Sequence, residues 1–66
     1  MKLIFENSRG EERVIAEPKD ENEAINEIYK FCDERNFKIY YYRKWTTNGR
    51  THFDVGSHVE FFHLED

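Results

Sequence analysis

Apolar and polar positions alternate in short runs at both ends of the chain and follow a three-and-four spacing between them. Lys2 to Phe5 is a short run of strand formers, and Arg13-Val14-Ile15-Ala16 repeats that character after the turn-rich cluster Asn7-Ser8-Arg9-Gly10. The pair predicts a β-hairpin. Pro18 closes the second run, and Asp20 three residues before Glu23 has the form of a capping box, so a helix is expected from about Glu21. Ala24, Ile25, Ile28, Tyr29, Phe31 and Cys32 then recur on one helical face, with Asn22, Glu23, Asn26, Glu27, Lys30, Asp33 and Glu34 opposite. Asn36 tolerates the left-handed backbone of a helix terminus, and Phe37 beyond it can fold back on the last turn.

Phe37 to Trp45 mixes aromatic, β-branched and basic residues, and Asn48-Gly49 suits a two-residue type I′ turn, because both of its central positions need positive φ. Strands are expected on both sides of it, over Phe37–Trp45 and Thr51–Val55. A turn at Gly56-Ser57 precedes a last short strand over Val59–Leu64, and residues 63–66 read as a polar C-terminal tail. The element order is ββαβββ: a single α+β domain over residues 1–66, with a four- to five-stranded, mainly antiparallel sheet and one helix packed on one face. Two hairpins joined through a helix can pair in more than one way, so strand order stays open.

A two-residue loop at Asn48-Gly49 sets a register. Arg43 then faces Asp54, Lys44 faces Phe53, Trp45 faces His52 and Tyr42 faces Val55. One face holds Tyr40, Tyr42, Phe53 and Val55, a suitable underside for the helix. The other holds Ile39, Tyr41, Arg43, Trp45, His52 and Asp54. A one-residue slip exchanges the two faces.

Size and charge narrow the function classes. The 66 residues, 38% of them hydrophobic, support one small core, and the 17% aromatic content supplies large buried areas per side chain. Ten Lys+Arg against 14 Asp+Glu give a net charge of −4, a field that repels nucleic-acid phosphate overall. The distribution is uneven: residues 17–34 hold seven acids and two bases, whereas residues 36–53 hold four bases and no acid. The acidic helix face, Glu23, Glu27, Asp33 and Glu34, either docks on a basic partner or is a solvated face that keeps the domain in solution. The lone Cys32 forms no internal disulfide, which fits a reducing, cytoplasmic setting, and no signal-peptide or membrane-span pattern is present.

The aromatic-basic hairpin is the candidate binding region. Tyr41, Arg43, Trp45 and His52, with Lys44 and Arg50 beside them, are residue types enriched at interaction hot spots. Such a surface can bury itself against a protein, a second copy of this chain included. Alternatively it stacks an unpaired base while Arg43, Lys44 or Arg50 meets phosphate, as in nucleotide- or single-strand-binding modules. Cross-strand aromatics are also ordinary sheet stabilisers.

Catalytic and metal signals are weak. Cys32 lies on the predicted buried helix face, Ser8 and Ser57 sit in turns, and no Gly-x-Ser-x-Gly or phosphate-cradling glycine loop occurs. An Asp54–His52 acid/base pair reads equally as an exposed polar strand face. His52, His58 and His63 lack the spacing of a zinc motif and read as surface residues, so neither metal nor cofactor is expected. In its short, acidic, aromatic-rich manner the chain is similar to accessory proteins of phages and mobile elements, several of which inhibit host enzymes; no specific motif carries the likeness. The expectation is a non-enzymatic protein-interaction module.

Overall fold

A computed structural model describes residues 1–40, 42–56 and 59–66. β1 (Lys2–Glu6) and β2 (Glu12–Ala16) form the first hairpin, α1 (Glu21–Glu34) follows, β3 (Arg43–Thr47) and β4 (Arg50–Asp54) form the second hairpin, and β5 (Phe61–Glu65) comes last. The five strands make one sheet in the order β2-β1-β5-β4-β3, every neighbouring pair antiparallel. This is the α+β fold and the ββαβββ order expected. β5 lies between the two hairpins and is the strand that joins them.

Both ends of α1 follow from local sequence. Asp20 is the N-cap and accepts from the Glu23 backbone N–H at 2.9 Å, while the Glu23 carboxylate reaches back to the Lys19 backbone N–H at 3.1 Å. The first bond satisfies an orphan donor of the first turn, and the second ties down the N–H of Lys19, just ahead of the N-cap. At the other end Asn36 takes φ +57°, and the N–H groups of Phe37 and Asn36 bond to the carbonyls of Cys32 and Asp33 at 2.8 and 3.2 Å. That is the pair of bonds of a Schellman cap, completed when the Phe37 ring folds back to 6.3 Å from Phe31.

Leu3, Phe5, Phe53, Val55, Phe62 and Leu64 from the sheet meet Ala24, Ile28, Phe31 and Cys32 from the helix in one core. The rings of Phe5 and Phe62 each lie within 5.6 Å of Phe31, and each fully buried side chain of this size contributes about 1.5–3 kcal/mol. Tyr29, on the expected buried stripe, is instead exposed at its edge.

Two expectations for the chain's second half are corrected. Among the described residues, the run from Phe37 becomes strand only at Arg43, because Phe37 is committed to the helix cap and Ile39 packs against the core. Tyr40 still donates its N–H to the Val55 carbonyl at 3.0 Å, ahead of the ladder that begins at Arg43. The expected polar tail at 63–66 is strand as far as Glu65, with His63 and Leu64 buried, because β5 is flanked by β1 and β4 on its two edges.

Candidate functional site on the open sheet face

The expected register of the second hairpin is present: Arg43 pairs with Asp54, Lys44 with Phe53 and Trp45 with His52, and the turn residues Asn48 and Gly49 take φ +52° and +74°. Successive strand residues point to opposite faces, so Phe53, Phe62, Leu3 and Phe5 go to the helix and their neighbours to the open face. Registers of all four strand pairs align one row of side chains across that face: Val14, Ile4, His63, His52 and Trp45.

The row contains a hydrogen-bonded chain. Thr47 Oγ1 lies 2.6 Å from His52 Nε2, His52 Nδ1 lies 2.7 Å from His63 Nδ1, and His63 Nε2 lies 2.7 Å from Glu6 Oε1. With both rings neutral and Glu6 ionised, one proton arrangement satisfies all three contacts. His63 Nε2–H donates to Glu6, His52 Nδ1–H donates to His63, and the Thr47 hydroxyl donates to His52. His63 is 7% exposed. It was expected at the surface; the central position of β5 buries it. Burial also holds His52 below the ordinary imidazole value, with His63 and Arg50 acting in the same sense and Glu12 and Glu6 opposing.

Ion pairs frame this chain. Arg50 reaches Glu12 at 2.7 Å through Nη2 and Glu65 at 2.9 Å through Nε. The hydrogen bond from Arg50 holds the Glu12 carboxyl below its usual range, and the same bond raises Arg50. Arg43 meets buried Asp54 at 3.3 Å and lies 5.1 Å from the centre of the Trp45 ring, while the His52 ring packs on Trp45 at 5.3 Å. Trp45 is thus fixed between a guanidinium and an imidazole on an edge strand, and remains 38% exposed.

No family model, curated protein or solved structure matches the chain.

The fold brings Arg43, Trp45, His52 and Arg50 together on the open face. Lys44 is not among them. It points to the helix side and pairs with Glu21 at 2.8 Å, because it alternates with its neighbours in β3. Tyr41 and His58 lie outside the described residues. Of the acidic helix positions, Glu23 is engaged in the N-terminal cap, and Asp33 and Glu34 are exposed near the C-terminal turn. Sequence reasoning missed Glu6, Glu12 and Glu65 and set His63 aside as a surface residue; the four converge from three strands. One signal was available: His63 sits between Phe62 and Leu64, so burial of those two in the core directs it to the opposite face.

Proposed function

We propose that this chain is a non-enzymatic protein-binding module that engages a protein partner through the Trp45 edge of its open sheet face. The carrying observation is the state of Trp45: exposed, on an edge strand, and held between Arg43 and His52. A large ring fixed before binding loses little freedom on association, which is what makes tryptophan effective at hot spots. Edge strand β3 also offers backbone groups to an added strand. Inhibition of a partner enzyme, in the manner of phage and mobile-element accessory proteins, is the use that suits so small a domain, and the buried free thiol of Cys32 suits a reducing, cytoplasmic setting. Among the described residues no helix is long and apolar enough to cross a membrane.

The ion pairs favour a protein over a nucleotide or single strand. Arg43, Lys44 and Arg50, the bases of the β3–β4 hairpin, each already meet a carboxylate, and phosphate would have to compete with Asp54, Glu21, Glu12 and Glu65 for them. The test uses wild-type chain, Trp45→Ala and the helix variant Glu27→Lys as baits in lysate of the source cell, with and without nuclease. A protein captured by wild type and Glu27→Lys but lost from Trp45→Ala supports the reading. Equal capture by all three, or capture of nucleic acid abolished by nuclease, overturns it. Sedimentation of the pure chain, with Trp45→Ala beside it, identifies a second copy as the occupant.

A further inference from the structure

We propose that Glu6, Glu12 and His63 form a binding site for a late first-row divalent cation, zinc in particular. The three residues come from β1, β2 and β5, and their ligand atoms all lie within 4.8 Å of one another. His63 Nε2 stands 2.7 Å from Glu6 Oε1 and 4.0 Å from Glu12 Oε2. Tetrahedral zinc with bonds of about 2.0–2.2 Å separates its ligand atoms by roughly 3.4 Å, a value those two distances bracket. Small side-chain shifts reach it. One nitrogen and two carboxylate donors suit zinc or its neighbours better than calcium or magnesium, which prefer all-oxygen sites.

The charge gathered at this place favours a cation. Glu6 and Glu12 are directly opposite in the β1–β2 register and share a face, an arrangement in which like charges repel. Arg50 answers part of that charge with a bidentate contact, Nη2 to Glu12 Oε1 at 2.7 Å and the longer Nη1 to Oε2 at 3.3 Å, and Oε2 also lies 4.0 Å from His63 Nε2. His63, the third of the residues, is an imidazole more than nine-tenths buried whose Nε2 faces the two carboxylates and is hydrogen-bonded to Glu6 at 2.7 Å.

An ion would replace the hydrogen bond from His63 Nε2 to Glu6, while the two contacts behind His63, to His52 and on to Thr47, are kept. A metal on Nε2 needs the lone pair there, so the ring proton must sit on Nδ1. Nδ1–H then donates to His52 Nδ1, His52 carries its own proton on Nε2, and that N–H donates to Thr47 Oγ1. Each ring keeps one proton. The proton leaving Nε2 of His63 is balanced by one gained at Nε2 of His52, while the proton between the rings passes from His52 to His63. Binding therefore reverses the direction of donation along the row and changes the tautomer of the imidazole that packs on Trp45.

The experiment titrates Zn2+, and separately Co2+, into the metal-free chain, followed by calorimetry, cobalt absorption and imidazole 15N shifts. Expected are one ion per chain, cobalt bands of a low-coordinate nitrogen–oxygen site, and exchange of the protonated nitrogen on both His52 and His63. His63→Gln should weaken binding by at least about tenfold, and Glu12→Gln by about tenfold. Glu12 is exposed, so Glu12→Gln keeps the test valid if His63→Gln does not fold. Cys32→Ser and His58→Ala should leave binding unchanged. Absence of Zn2+ binding, binding unaffected by Glu12→Gln, or binding lost with Cys32→Ser or His58→Ala overturns the assignment.

Discussion

His52 and His63 meet Nδ1 to Nδ1 at 2.7 Å across the β4–β5 pair, so a single proton occupies the line between two rings that are both wholly or partly withdrawn from water. Each ring is the other's partner at that atom. Removing one leaves a buried nitrogen unsatisfied, at a cost of about 1–3 kcal/mol, whereas removing both leaves no orphan there. In urea unfolding, His52→Ala should destabilise by that amount. The double variant His52→Ala/His63→Leu should be more stable than the two single losses added together, by at least about 0.5 kcal/mol. Strict additivity would mean that the rings do not bond.

Phe53 and Phe62 are fully buried on adjacent strands facing the helix. Truncating such a ring costs about 3–5 kcal/mol, while a domain of this size has a total stability of roughly 3–10 kcal/mol. Phe62→Ala should therefore leave the chain largely unfolded by circular dichroism at 25 °C. Phe62→Leu, which retains most of the volume, should still melt cooperatively at a lower temperature.

Glycines 49 and 56 both have positive φ, at +74° and +102°, but differ in surroundings. A Cβ on Gly49 meets nothing within 4 Å, whereas one on Gly56 falls 2.7 Å from the Tyr40 Cβ. Gly49→Ala should cost about 1 kcal/mol from backbone conformation alone. Gly56→Ala carries a larger penalty, about 2–3 kcal/mol, since it adds a clash in a region nearly closed to L-residues. Denaturant midpoints of the two variants give the order directly.

Burial pushes the Cys32 thiol above its ordinary value, with the charge of Glu60 adding to the effect. The native chain should resist Ellman's reagent at pH 8 and react fully in urea. The folded state keeps this proton to higher pH than the unfolded state does. Its stability contribution is thus intact below the unfolded thiol value, near 9, and falls as pH rises from there through the raised folded value. Cys32→Ala should flatten that alkaline decline, measured as urea midpoints between pH 7 and 10.

Local chemistry made much of the fold legible. Asp20 and Glu23 announced the helix start, Asn36 and Phe37 its end, and Asn48-Gly49 fixed a register that put Trp45 beside His52. Strand order was not legible, because Phe62 and Leu64 have the same alternation in an edge strand as in a central one. The candidate cation site was hidden for the same reason. Glu6, Glu12 and His63 have no motif spacing, and become neighbours only once β5 is laid against β1 and β1 against β2. Lys38, Ile39, Tyr40 and Tyr42 misled in the opposite way, since aromatic and basic residues favour strand while the geometry of leaving a capped helix does not.

In the sheet order β2-β1-β5-β4-β3, no strand of one hairpin pairs with a strand of the other, and each hairpin pairs with β5. The molecule is thus separable by design into a sixty-residue body and a short keystone peptide. A chain ending at Glu60 should lack a cooperative transition, and a synthetic peptide carrying Phe61–Glu65 should restore it, giving a two-piece reporter whose assembly reads out the row from Val14 to Trp45.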